Sequence, residues 1–192
     1  MPEGSVTAAQ SAEPSEGFKA TELGPLPDGW ERVELQHVAS VRGETVSPQQ
    51  RSDLRYVGLE HIDPGDIRIH RWGKPQDVRS TKSYFVPGDV LYGKLRPYLD
   101  KVALAEWPGM CSTDVLVLQP NSRVDPPFLA YALHTRTFLA HAIATTTGVN
   151  HPRTSWQSIG RFALPLPPLC EQRAIAHVLR TVQRAKEATE RV

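Results

Sequence analysis

Between residues 33 and 120 the apolar positions fall in short runs, at 33–41, 54–60, 67–72, 83–86, 89–95, 101–107 and 114–118, each closed by Gly, Pro, Asp or Asn. Runs of this length and punctuation predict β-strands. Alternation is cleanest at 66–71 (Asp-Ile-Arg-Ile-His-Arg), which predicts isoleucines on one face and basic groups on the other. Beyond 120 the period lengthens. Asp125 is placed to cap a helix with Pro126 in its first turn. Phe128, Leu129, Ala132 and Leu133, then Phe138, Leu139, Ala142 and Ile143, give that helix an apolar face with a kink near Thr135. A loop at 145–156 leads into an extended 161–168, and a last helix starts at about Leu169.

On this last helix Ile175, Val178, Val182, Ala185, Thr189 and Val192 recur at spacings of 3, 4, 3, 4 and 3. That is a heptad seam, which asks for a partner helix. At about two and a half heptads it is marginal alone, so it packs on its own domain or on another chain. The fold class is α+β: a mixed, mostly antiparallel sheet with packed helices, followed by a projecting helix of coiled-coil type. The expected organisation is a disordered tail at 1–23, poor in large apolar groups, one domain at 24–168 and the helix at 169–192.

Charge changes the picture by its distribution. The net value is +1, yet residues 67–101 carry eight Lys or Arg against three Asp, behind a first 31 residues with six acids and one lysine. A basic centre with an acidic start suits a phosphate backbone, which responds to the local field. A set of solvated surface charges is the plainer alternative. Two cysteines, Cys111 and Cys170, are too few for a disulfide framework and match no zinc spacing. With no apolar stretch near the length of a membrane span, the expectation is a cytoplasmic protein.

Catalytic patterns nearly form. Residues 88–94 have the G-x4-G-K spacing of a phosphate loop, but Leu95 stands where a hydroxyl would hold magnesium, and the intervening residues favour strand. Asp125-Pro126-Pro127-Phe128 matches the base-flipping motif of adenine aminomethyltransferases, yet no glycine-rich loop precedes it to hold a methyl donor. A helix cap is the simpler reading. His134 and His141 are seven apart, too far to share a metal on one helix. No metal, cofactor or enzyme activity is expected.

Several stretches together resemble the specificity subunit of type I restriction–modification systems. Leu164-Pro-Leu-Pro-Pro-Leu-Cys-Glu171-Gln172-Arg-Ala-Ile175-Ala resembles the signature that closes that family's target-recognition domain and opens its helix. Gly29-Trp30 with Leu35, the Gly88-Asp-Val-Leu-Tyr-Gly-Lys-Leu-Arg-Pro-Tyr98 run with Lys101-Val102, the strand from Cys111, the helix from Phe128, and Thr147-Gly148 with Arg153 resemble its other segments, in order. The resemblance covers roughly 24–185. It implies a non-catalytic subunit that reads double-stranded DNA for a methyltransferase subunit and a restriction subunit. In that family two recognition domains, joined by two long helices, read a bipartite site. One domain and one partial helix then imply a half-subunit that pairs with a second copy or a second half, or a fragment of a longer chain.

The candidate DNA contacts are Arg79, Lys82, Lys94, Arg96, Tyr98, Lys101, Arg153 and Thr154, cations and hydrogen-bonding groups in or near the basic centre and an exposed loop. The candidate partner face is Ile175, Val178, Val182 and Ala185. Two other functions fit less of the chain: an adenine methyltransferase fragment using Asp125 and Phe128, and a module whose basic centre meets a protein.

Overall fold

The computed structural model describes residues 16–190. Its strands are β1 (Phe18–Thr21), β2 (Gly24–Pro27), β3 (Glu31–Glu34), β4 (Ala39–Val41), β5 (Thr45–Val46), β6 (Arg55–Val57), β7 (Lys82–Phe85), β8 (Val90–Gly93), β9 (Val102–Leu104), β10 (Gly109–Cys111), β11 (Val115–Pro120) and β12 (Ala163–Leu166). The helices are α1 (Pro126–Ala132), α2 (Arg136–Ala144), α3 (Trp156–Ile159) and α4 (Leu169–Glu190). Two four-stranded sheets, ordered β5-β7-β10-β6 and β4-β11-β8-β9, are joined by two ribbons, β1-β2 and β12-β3. All pairings are antiparallel except β6 with β10. The α+β class is as the pattern indicated.

The sheets share one core and a second lies under the helices. Leu91, Ala103, Val115 and Val117 from one sheet meet Val57, Phe85 and Cys111 from the other. On the far face Val90, Tyr92, Val102 and Leu118 meet Phe128, Leu129, Phe138 and Ala176. Strand β8 is therefore buried on both faces, which is why 89–95 reads as a continuous apolar run rather than an alternating one. Strand β10 requires Gly109, because a Cβ there would lie 2.4 Å from the Phe85 ring and 2.8 Å from the Trp107 ring. The turn into β8 is made at Gly88, whose φ of +91° only glycine adopts freely.

Several expectations need correction. The alternating 67–72 run forms no strand: the Asp66 carboxylate accepts the Arg68 N–H at 2.8 Å, taking it from any ladder. Ile67 still enters the core, and its carbonyl accepts from Leu104. The 33–41 run divides into β3, a 3-10 turn at Leu35–His37 and β4, because Leu35 and Gln36 donate to Phe162 and Gly160 instead of extending one strand. Residues 18–21, expected within a disordered tail, form a ribbon with β2. Residues 1–15 of that tail lie outside the described residues.

The helical region follows its local chemistry. Asp125 accepts the Phe128 N–H as N-cap of α1, and Thr135 ends one helix and caps the next. Phe128 is itself buried in the core, so its ring is not available to stack on a base. That removes the methyltransferase alternative. Strand β8, paired on both edges, likewise leaves no phosphate loop at 88–94.

Candidate nucleic-acid interface

Lys94, Leu95 and Arg96 continue from β8 and are fastened to the 147–154 loop by main-chain bonds. Lys94 donates to the Asp114 carbonyl at 2.9 Å, Thr154 donates to the Lys94 carbonyl at 3.1 Å, and Arg96 donates to the Pro152 carbonyl at 2.8 Å. The loop is closed by Thr147 and Arg153, each donating to the other at 2.9 Å. Its tip of Gly148, Val149, Asn150 and His151 is exposed, Val149 at 97%. Tyr98, at 53% exposed, stands on the 3-10 turn Pro97–Leu99 directly after Arg96. Among the described residues no acid pairs with Lys94 or Arg96, whereas Arg153 donates from Nε to Asp114 at 3.0 Å. The structure thus gathers Lys94, Arg96, Tyr98 and Arg153 into one surface, with the exposed 148–151 tip at its rim.

The other four expected contacts fall elsewhere. Lys82 is 7% exposed and donates to the carbonyl and hydroxyl of Ser80 at 3.0 and 2.6 Å. Lys101 donates to the Leu59 carbonyl. Buried Thr154 meets the Thr145 hydroxyl at 3.2 Å. Each of these is turned inward by a nearby acceptor that the sequence does not reveal. Arg79 is exposed but lies beside Gln49 in a separate recess with Pro48, Ser52 and Pro75.

One exposed cationic feature escaped the sequence reading. The Arg55 guanidinium stacks 3.9 Å from the Trp72 ring centre and 5.0 Å from that of Trp107. The three residues are far apart in sequence, so no local pattern marks them. Asp66, His70 and Glu187 also converge, with ligand-type atoms within 4.8 Å. Arg68 already supplies the cation there by pairing with Glu187, so the group acts as a latch between the 63–71 segment and α4. Cys111 is no nucleophile, since burial pushes its thiol up to about 12.

Helix α4 has two distinct sides. Gln172 and Ala176 are buried and Arg180, Gln183 and Glu187 partly covered, a stripe that lies along the domain. Tyr131 donates to Gln183 there at 3.3 Å. Ile175 joins the edge of the core, while Val178 (59%), Val182 (61%) and Ala185 stay exposed. The heptad seam therefore splits: its first member belongs to the domain, and the next three face outward.

The model of the type I restriction modification DNA specificity domain matches residues 27–191. The chain belongs to the type I restriction–modification specificity family. It is 30% identical over 160 residues to the EcoDI specificity subunit of Escherichia coli, covering 82% of this chain and 36% of that one. It is 28% identical over 177 residues to the putative MjaX specificity subunit of Methanocaldococcus jannaschii, covering 85% and 42%. The HsdS subunit from Thermoanaerobacter tengcongensis has a similar structure, with TM-score 0.72, 26% identity and coverage of 85% and 44%. A specificity subunit from M. genitalium shares the fold at TM-score 0.56 and 16% identity, covering 83% and 40%. The chain spans less than half the length of these relatives.

The family signature now has a physical basis in this specificity domain. Leu164 and Leu166 of β12 are buried against β3, Glu171 accepts from the Trp30 indole at 2.8 Å, and fully buried Gln172 ties the first turn of α4 to the 123–125 segment and to the Pro167 carbonyl. The opening Gly29-Trp30 and the closing Glu171-Gln172 are therefore two sides of one junction. Among the described residues no helix is long and apolar enough to cross a membrane.

Proposed function

We propose that this chain is a non-catalytic cytoplasmic reader of one half of a bipartite double-stranded DNA site, presenting it to a methyltransferase subunit and a restriction subunit. The observation that carries this reading is the surface of Lys94, Arg96, Tyr98 and Arg153, in which two cations lack acid partners and sit on backbone fixed by main-chain bonds. A backbone already fixed by main-chain bonds needs no ordering of its own when its cations meet phosphates, and the neighbouring tip at 148–151 is exposed beside them. The names of the relatives as restriction enzyme specificity subunits support the same assignment.

Selection of duplexes from a random library, with the purified methyltransferase subunit present, tests it. A defined sequence should be recovered, and affinity should fall steeply with salt as counterions are released. No enriched sequence, or a flat salt response, would count decisively against DNA reading. Arg96→Ala is expected to weaken matched and unmatched duplexes alike and to reduce the salt slope by about 1, the signature of a phosphate contact.

The outward face of α4 supports pairing with a second copy or a second half-subunit, and a two-fold pair would read an inverted repeat. The paired variant Val178→Asp with Val182→Asp should lose self-association or methyltransferase docking in sedimentation. Its melting temperature should change little, because both side chains are exposed. Wild-type sedimentation and docking by that variant would leave the face without a role.

A further inference from the structure

The turn that carries Arg96 and Tyr98 has a costly backbone. Among the described residues the non-glycine positions with positive φ are Arg96 (φ 52°) and Asp100 (φ 48°), and they bracket this one turn. Such a conformation is strained for a residue with a Cβ and persists only where its surroundings over-determine it. The near end is set by the Arg96 N–H on the Pro152 carbonyl. Within the turn Leu99 and Asp100 donate back to Arg96 and Pro97, each at 2.9 Å, and Pro97 is buried.

The far end is set from below. Asp100 accepts a hydrogen bond from Nδ1 of His134 at 2.9 Å, and the imidazole is mostly buried at the end of α1. That bond is the ring's anchor, since Nε2 of His134 is buried without a partner. Tyr92, whose buried hydroxyl is also unpartnered, lies close enough for the Asp100 charge to act on it. The Asp100 carbonyl also accepts from Gly65 at 3.2 Å.

A carboxylate at this place is otherwise unfavourable. It puts a negative charge beneath a surface read above as phosphate-binding, at a backbone angle that glycine would adopt without strain. We infer that Asp100 and His134 are positioning residues, a clamp that holds the 96–100 turn in the shape from which Arg96 and Tyr98 meet DNA. The inference rests on the DNA-reading function proposed above. The clamp exchanges local strain for a contact surface that needs no ordering on binding.

Asp100→Gly separates this from simpler accounts. Relief of strain and loss of a negative charge both argue that the variant should bind DNA at least as tightly as wild type. The clamp requires the opposite: about tenfold weaker binding to a labelled duplex carrying the library-selected site, with the effect of Arg96→Ala largely absorbed in the Asp100→Gly background because the two residues act as a unit. His134→Ala should behave like Asp100→Gly, while His134→Gln, whose amide can donate to Asp100, should stay near wild type. Tighter or unchanged binding by Asp100→Gly, or a full and additive loss from Arg96→Ala in that background, overturns the clamp. Should Asp100→Gly fail to fold, equal affinities of His134→Ala and His134→Gln overturn it instead. A wild-type chain that selects no duplex removes the DNA reading itself, an outcome distinct from these.

Discussion

Asp89→Ala is expected to remove roughly 3–5 kcal/mol of folding stability, the usual cost of breaking a buried pair by removing one partner, because mostly buried Arg42 then keeps only the exposed Glu44 carboxylate at 3.6 Å. Among the described ion pairs Asp89 is the most deeply buried acid, with its side chain 4% exposed against 17% for Arg42. Arg42 donates from Nε at 2.8 Å and from Nη2 at 3.1 Å, and the Val86 N–H donates to the same carboxylate at 2.8 Å. This bond and the Asp89 charge hold the Arg42 guanidinium above its ordinary value. Arg42 lies between β4 and β5, strands of different sheets, so the pair ties the turn before β8 to the link between both sheets. The loss should appear as a lower urea midpoint with little change in slope. Adding Arg42→Met should recover part of it, since the stranded charge then goes too. A midpoint within error of wild type for Asp89→Ala would show that the pair is dispensable.

How much of this was legible follows from the range of the interactions. The Asp125 cap, the break at Thr135 and the start of α4 are set by neighbours within a few residues, and each stands where the sequence places it. The 67–72 alternation misleads because a side chain one residue upstream captures a strand-forming N–H, and periodicity does not register hydrogen bonds. Strand β10 was missed for a different reason. Its three residues, Gly109–Cys111, form a strand because glycine lets Phe85 and Trp107 come close, which only the assembled core reveals.

The candidate site shows the same division. Its cations are evident as charges, but charge does not disclose whether an acceptor waits nearby. Lys82 and Lys101 look equivalent to Lys94 in sequence, yet each finds a backbone carbonyl and turns away from solvent. Lys94 and Arg153 lie 59 positions apart and are brought together by the main-chain bonds of Lys94 with Thr154 and of Arg96 with Pro152, which carry no side-chain signature. The Arg55 stack is assembled in the same non-local way. Family signatures compensate where they encode such junctions, and Gln172 is the clearest instance.

Gln172→Leu should cost roughly 3–5 kcal/mol, by leaving the buried Pro167 carbonyl and two part-buried backbone groups at 123–125 without their partner, at about 1–3 kcal/mol for each group that water does not reach. The side chain is fully buried and uses both ends. Its carbonyl oxygen accepts from the Asp125 N–H at 2.7 Å, while its amide donates to the carbonyls of Arg123 at 3.0 Å and Pro167 at 2.8 Å. Leucine fills similar space, so the loss is one of hydrogen bonding rather than of a cavity. Gln172→Glu should be no better: a carboxylate can accept from Asp125 but cannot donate to two carbonyls, and it would be buried as a charge. Arg173→Ala is the matched control, since that side chain is 70% exposed and its ion pair spans 3.8 Å, for which about 0–1 kcal/mol is expected. Because Gln172 fixes the first turn of α4 to the start of α1, its loss should also weaken docking through Val178 and Val182 at temperatures where the domain is still folded. Equal urea midpoints for Gln172→Leu and Arg173→Ala would mean that the signature glutamine is not what joins the helix to the domain.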